Sequence, residues 1–419
     1  MTSKAQALLE RERKVLSTSY VRPYPFVPER GEGVWLYDVD GKKYLDFMGG
    51  IAVNTTGYGH PKVLKAAQEQ MARFVHVCFS DFSHEPNVTL AERLVEKLGG
   101  GYRVYFGNSG TEAIEAAIKL VRYHTRRPYL LAFTGAFHGR TLGSLSLTSS
   151  NAKYRQGFAP LLPGVVHVPF PSPSRPPFGV SPERAGEAVL DYLEHLFKTK
   201  LPPSEVAAFF AEPIQGEGGY LEPAPGFFKS LKALLEHHGI LLVADEIQTG
   251  AGRTGTFLAM EQEGVQPDLV TLAKGLASGF PISALLFREE LSSWPPGAHG
   301  TTFGGNPVAA AAAMATLDLL EEGLMQNARE VGAFLKARLK DLLKGAPGVL
   351  EVRGRGLMLA VAFETGELRD RAVTAAFEHG LLTLPAGPDA LRIAPPLILT
   401  QKEAEEGAQR LARAIRSLG

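Results

Sequence analysis

A single cysteine in 419 residues, Cys78, leaves no pair for an intrachain disulfide and no thiolate cluster for a metal. That usage fits a reducing, cytoplasmic setting. Net charge is missing too: 44 Lys plus Arg balance 44 Asp plus Glu, so no global field draws the chain to nucleic acid or an acidic membrane. No uninterrupted apolar stretch reaches the roughly eighteen residues a membrane span needs, and the alanine run from Ala309 to Ala313 only begins an ordinary helical segment. The opening MTSKAQALLERERK is charged and amphipathic and lacks an apolar core followed by a small-residue cleavage site, so no secretory leader is expected. What is present is a 45% hydrophobic composition, enough for the core of one large domain and a smaller one.

Asp40-Gly41 lies between two short apolar and aromatic runs, Val34 to Asp38 and Lys43 to Phe47, and predicts an antiparallel hairpin. Helix-length segments at 61–75 and 85–98 follow. Short apolar strands then alternate with helical patterns: 103–106, 130–133, 207–211, 241–244, 269–272 and 283–287. This is α/β grammar. The Pro- and Ser-rich stretches 169–177 and 201–204 predict surface connections around a helix at 184–198. After Pro307 the pattern gives helices, strands at 349–353, 357–363 and 391–394, and helices at 326–343, 367–379 and 401–417, a smaller α+β unit that the N-terminal hairpin can join. The expected division is an N-terminal segment 1–60 packed with the small domain, a large α/β domain 61–310 and a small domain 311–419.

Four features carry chemistry. Gly107-Asn108-Ser109-Gly110-Thr111 joins a strand to a helix at 111–125, and its free N–H groups and helix dipole suit an anion, with the Ser109 hydroxyl as a further donor. It is not a Walker loop, since the lysine and the spacing are missing. Asp245-Glu246 ends an apolar strand, where an ionised carboxylate needs a cation such as a protonated heterocyclic nitrogen; His237 and His238 nearby give no metal-ligand spacing. Lys274 stands alone after the strand at 269–272, either facing solvent or serving Schiff-base chemistry. Phe137-His138-Gly139-Arg140 couples a ring with a cation, and Arg392 interrupts an apolar run; these groups suit stacking and carboxylate binding, or core packing and a structural ion pair. The stretch from Gly250 to Gly255 matches G-x-G-x-x-G but does not bridge strand to helix, so it predicts a shaped loop rather than a dinucleotide site.

From about residue 20 to the C-terminus the chain resembles the class III aminotransferases of fold-type I, pyridoxal-phosphate enzymes that include 4-aminobutyrate, ornithine and acetylornithine aminotransferases. The resemblance rests on GIAVNTTGYGHP, GNSGTEA, FHGRT, EPIQGEGG, DEIQTGAGRTG, Lys274-Gly275, TTFGGNP and LRIAPPL, in that order. It implies a large domain around a mostly parallel sheet plus a small α+β domain, and pyridoxal 5′-phosphate as cofactor. It further implies that Lys274 forms the Schiff base and moves the proton, and that Asp245 pairs with the pyridine nitrogen. Ser109, Gly110 and Thr111 would hold the phosphate, with Thr302 added from the neighbouring subunit. Phe137 would stack on the ring beside His138, Gln248 would lie near the phenolic oxygen, and Glu212 would support the strand-end site.

By the same resemblance, Arg392 clamps an α-carboxylate and is neutralised by Glu217 when an ω-amine enters, while Ile51 and Arg140 line the substrate site. The implied reaction moves an amino group from an ω-amino acid, with 4-aminobutyrate first, to 2-oxoglutarate, giving succinate semialdehyde and L-glutamate. Ornithine, lysine or acetylornithine transamination, or broad amino-acid racemisation, are the alternatives. Stretches such as AEPIQGEGGYLEPAPGFFKSLKAL resemble an archaeal and thermophilic subgroup that spans these activities, and Tyr20 aligns imperfectly with an ornithine-binding tyrosine. The implied assembly is a homodimer or a dimer of dimers, without nucleic-acid, membrane or metal partners.

Overall fold

Gly41, at φ 86°, lets the chain reverse where the Asp40-Gly41 pair predicts a turn. In the computed structural model, which describes residues 3–419, β1 (Pro28–Glu32), β2 (Trp35–Asp38) and β3 (Lys43–Asp46) form an antiparallel meander. The sequence PERGE of β1 has no apolar alternation and does not predict a strand; it stays largely exposed, and besides its backbone pairing Arg30 stacks over the ring of its register partner Tyr37 at 3.5 Å.

Seven strands build the central sheet: β4 (Tyr102–Gly107), β5 (Tyr129–Phe133), β6 (Val165–Val168), β7 (Val206–Ala211), β8 (Leu241–Asp245), β9 (Leu269–Leu272) and β10 (Ser283–Arg288). Their order is β4-β10-β9-β8-β7-β5-β6, and all pairings are parallel except those of β10, which runs against both neighbours. Alternate residues of β5 face opposite layers. Leu131 and Phe133 pack under the helices Ala185–Thr199 and Phe227–His237, while Leu130 and Ala132 pack under Gly110–Thr125. With both faces covered, β7 and β9 are buried at every residue, which explains runs that are apolar throughout rather than alternating. The ends of β4, β5, β7, β8 and β9 therefore lie along one edge.

Among the remaining strands, β11 (Val349–Arg355), β12 (Met358–Phe363), β14 (Leu384–Ala386) and β15 (Ala390–Ile393) make an antiparallel sheet, whereas β13 (Leu381–Leu382) leaves them to pair in parallel with β3. The C-terminal helix Gln401–Arg416 closes over this junction, and its Gly407 makes room for the fully buried Phe47 ring. The helix Pro307–Leu319 is apolar on all sides and mostly buried. It continues through one wide π-helical turn, Leu320–Leu324, into Met325–Leu342. Among the described residues, no helix is long and apolar enough to cross a membrane.

The connection 169–177 is not purely superficial as expected. Phe170 is buried with its ring 5.1 Å from that of Phe133, and the Ala224 N–H donates to the Pro171 carbonyl at 2.7 Å. Proline removes donors without preventing an apolar side chain from entering the core between them. The glycine-rich stretch after β8 is a loop, with Gly252 and Gly255 at φ 81° and 100°. The buried Glu246 carboxylate organises it, accepting from the N–H groups of Ala259 at 3.0 Å and Met260 at 2.8 Å and from the Thr249 hydroxyl. Buried Arg253 donates to the carbonyls of Leu357 at 3.0 Å and Pro395 at 2.5 Å, so this loop ties the central sheet to the ends of β12 and β15.

Two predictions follow from this packing. A Cβ at Gly407 would stand 2.0 Å from Cζ of Phe47, so Gly407→Ala should destabilise the protein by about 1–3 kcal/mol, read as a lower thermal midpoint. Burial pushes the Glu246 carboxyl from 4.5 to about 7. Because its folded value lies above its unfolded one, its contribution to stability is full below about pH 4.5 and is lost as pH rises through about 7. Glu246→Gln should therefore show a flatter pH dependence of the thermal midpoint between about pH 5 and 8 than the parent.

Candidate active site

Ten of the predicted site residues follow strand ends on the common edge. Ser109, Gly110 and Thr111 follow β4; Phe137, His138 and Arg140 follow β5; Glu212 follows β7; Asp245 closes β8 and Gln248 lies three residues on; Lys274 follows β9. All of them line one cavity of about 460 Å³. A parallel sheet brings residues from five chain segments together because its carboxyl ends share an edge.

The centre of the cavity is a charged cluster in an apolar frame. Asp245 is 3% exposed, and its Oδ2 lies 2.7 Å from Nδ1 of His138. Its Oδ1 accepts from the Ile247 N–H at 3.1 Å and the Thr271 hydroxyl at 3.3 Å. Burial alone would lower the His138 imidazole, but the hydrogen bond and charge of Asp245, with the Glu212 charge, outweigh it and hold it raised. Nε2 of His138 is buried without a partner. Glu212 accepts from the N–H groups of Phe137 at 2.8 Å and Gly216 at 2.9 Å. Burial pushes its carboxyl up to about 7, against the opposing charge of His138.

Lys274 adopts φ 38°, a left-handed conformation unusual for a residue with a side chain. Burial lowers its ammonium, and the Glu217 charge only partly restores it. The lowered value eases loss of the proton that the nucleophilic amine must shed. Arg392 projects from β15 and pairs with Glu217, Nη1 to Oε1 at 2.5 Å and Nη2 to Oε2 at 3.4 Å. Arg392 is buried, and its Nε has no partner. Burial alone would raise the Glu217 carboxyl, but Arg392 and then Lys274 hold it below its ordinary value.

At the anion turn the N–H groups of Gly110 and Thr111 begin the helix and lack intrahelical acceptors. A Cβ at Gly110 would meet the Ile247 side chain at 2.8 Å, so glycine keeps this approach open. The Ser109 hydroxyl, expected as a further anion donor, donates instead to Glu112 Oε2 at 2.9 Å, and that carboxylate also accepts from the Asn108 N–H at 2.9 Å. The Ser-x-x-Glu spacing of a capping box is the sequence signal for this contact. The Thr111 hydroxyl lies 2.6 Å from both Thr141 Oγ1 and Ser144 Oγ.

Ile51 and Thr302 are exposed and do not line the cavity, and Tyr20, 60% exposed, lies in the N-terminal segment. Ile51 is turned outward by a run of positive φ through Gly49, Gly50, Ile51 and Ala52. Two aromatic residues not anticipated from the sequence support the site. Tyr220 is fully buried and donates its hydroxyl to Gln248 Oε1 at 2.8 Å, and Tyr154 meets the Phe137 ring edge-on at 5.9 Å. Among the described residues, no cluster of His, Cys, Asp and Glu could hold a metal ion.

A strand-end carboxylate, a buried lysine and an anion turn, on a mostly parallel sheet wrapped by helices, define the fold-type I transferases that depend on pyridoxal phosphate. The description Aminotransferase class-III matches residues 16–415, and the chain belongs to that family. An alanine/serine racemase of Pyrococcus horikoshii is 43% identical over 99% of this chain and 90% of its own length. A 4-aminobutyrate aminotransferase of Escherichia coli is 38% identical over 96% of each chain. The solved structure of a thermostable (S)-enantioselective omega-transaminase from Thermomicrobium roseum superimposes with a TM-score of 0.91 at 34% identity, covering 100% of both chains. The protein is accordingly a pyridoxal-phosphate-dependent enzyme of the class-III aminotransferase type.

Proposed function

We propose that the protein transfers the amino group of an ω-amino acid, 4-aminobutyrate foremost, to 2-oxoglutarate, yielding succinate semialdehyde and L-glutamate. The observation that carries this reading is the Glu217–Arg392 pair, whose two charges both act on Lys274. An arginine already neutralised by a glutamate leaves a neutral entry for an ω-amine, whereas a 2-oxo acid can take the arginine for its own carboxylate. A buried arginine with no anion at all would be costly, so the glutamate has a physical purpose in both half-reactions.

The residues fit pyridoxal 5′-phosphate in charge and shape. Bound pyridoxal phosphate supplies an electron sink that makes a proton on the substrate carbon removable. Lys274 is the amine that would hold the group, and its Nζ would take and return that proton. Asp245 would pair with the protonated pyridine nitrogen, and His138 orients Asp245 through its hydrogen bond. The Gly110 and Thr111 N–H groups hold the phosphate at the helix N-terminus, with Ser109 beside them and Thr302 of a second copy completing the site in a homodimer or dimer of dimers. Phe137 packs on the ring face, Gln248 is oriented by Tyr220 toward the phenolic oxygen, and Glu212 fixes the Phe137 backbone. Arg140 takes the distal carboxylate of the donor.

Similarity to the Escherichia coli 4-aminobutyrate enzyme supports this donor. Racemisation on the same cofactor is the second reading, and the similarity to the alanine/serine racemase favours it; ornithine, lysine and acetylornithine are the other donors to compare. Stopped-flow spectra of the holoenzyme without 2-oxo acid separate these readings. Rapid bleaching of the visible cofactor band selective for 4-aminobutyrate is expected. Preference for L-ornithine, L-lysine or N-acetyl-L-ornithine would change the donor, and binding of L-alanine without bleaching would favour racemisation.

Lys274→Ala should retain the thermal midpoint, lose the borohydride-fixed cofactor adduct in the mass spectrum and slow turnover by about 100- to 10,000-fold. Arg392→Ala should slow the 2-oxoglutarate half-reaction by roughly two orders of magnitude while the ω-amine half-reaction changes much less. Equal losses in single-turnover rates would remove Arg392 from the role assigned to it.

A further inference from the structure

Arg140 is an exposed guanidinium that forms no ion pair and no side-chain hydrogen bond among the described residues. Aromatic faces hold it instead. Its Cζ lies 4.3 Å from the centroid of the Tyr154 ring and 5.9 Å from that of Phe137, and those rings meet edge to face at 77°. Tyr154 ends a short turn, Ala152–Tyr154, that is fixed at both sides. The Asn151 side chain accepts from the Lys153 N–H at 2.9 Å. Arg155 donates to the carbonyls of Leu145, Ser146 and Thr148 at 3.0, 3.1 and 2.7 Å. Neither ring is a mobile surface group: Phe137 is held by its backbone bond to Glu212, and Tyr154 is braced by the next residue.

A ring and a carboxylate hold a guanidinium in different ways. A carboxylate would occupy the N–H fork and cancel the charge; a ring face restricts the plane of the group and leaves its five edge donors and its charge available. We propose that Tyr154 is a specificity-determining residue that positions Arg140 for the terminal carboxylate of an ω-amino acid. The proposal rests on the reading of Arg140 as the distal-carboxylate ligand. It adds that preference for acid-bearing amines over plain alkylamines depends on the Tyr154 ring and not on its hydroxyl. Phe137 alone is a poorer platform, because its ring is farther from the guanidinium.

The test uses the cofactor-loaded enzyme and follows bleaching of the visible cofactor band by 4-aminobutyrate and by butylamine, a pair of equal chain length that differs in the carboxylate. The ratio of their apparent specificity constants is the readout. Tyr154→Ala and the bulkier Tyr154→Leu should each lower this ratio by about 5- to 30-fold, through weaker apparent binding of 4-aminobutyrate with butylamine unchanged. Tyr154→Phe should stay within about twofold of the parent, since the ring is retained. Equal losses for the two amines, or no change with both Ala and Leu, would overturn the role of Tyr154. Arg140→Ala separates the two ideas: if it collapses the ratio while the Tyr154 variants do not, Tyr154 alone fails. If it leaves the ratio intact, the distal-carboxylate reading of Arg140 fails, and the proposal with it.

Discussion

Burial of the Asp245 carboxylate is the constraint around which the site is organised. A carboxylate buried at the end of an apolar strand needs hydrogen bonds or a cation to offset its lost hydration. His138, the Ile247 N–H and the Thr271 hydroxyl do so from the next strand connection, the following turn and the neighbouring strand. The imidazole is in turn held raised by that carboxylate, so neither group can be described without the other. Glu212 stands close enough to feel both charges, and Lys274 feels the field of Glu217, Arg392, Asp245 and Glu212 together. A change at one member shifts proton affinity at the rest.

The scaffold gives this cluster little freedom. Its residues leave the sheet at the ends of strands that are buried on both faces, so each side chain starts from a fixed backbone point. On the far side the loop containing Glu246 and Arg253 reaches the ends of β12 and β15, and Arg392 lies on β15 itself. The Arg392 guanidinium is thus connected to the strand bearing Asp245 through about ten residues of glycine-rich loop whose conformation Glu246 fixes. Arg253 has no carboxylate in a salt bridge among the described residues, and carbonyl dipoles carry its charge. Burial lowers it to about 10, which still leaves it cationic at neutral pH.

Much of this was legible in the sequence where local chemistry dictates local structure. Asp40-Gly41 marks the hairpin, the apolar runs mark the buried strands, and the glycines around Ser109 mark a turn into a helix. Asp245 and Lys274 stand out because charged residues directly after such runs need a reason to be there. Less visible were features decided by contacts distant in sequence. The antiparallel course of β10 leaves no trace in its residues. The strand β1 has no apolar alternation, and β13 is two leucines recruited by β3. Tyr220 and Tyr154 look like any other aromatics until folding sets them beside Gln248 and Arg140. The Ser109 hydroxyl's bond to Glu112 had a readable signal in the three-residue spacing, but only the structure shows which donors that carboxylate takes.

The union of β3 with β13 has a consequence for how the chain is made. The hairpin of residues 28–46 leaves the ribosome early, yet the strand that covers its open edge, Leu381–Leu382, is synthesised more than 300 residues later. Every strand of the central sheet is complete by Arg288, so that sheet can close first and the terminal layers must wait. Until then an unpaired strand edge and the Phe47 ring, later enclosed by the C-terminal helix, remain without their partners. During synthesis, nascent chains stopped between the end of β10 and the start of β13 are the species with the greatest exposure to unwanted pairing.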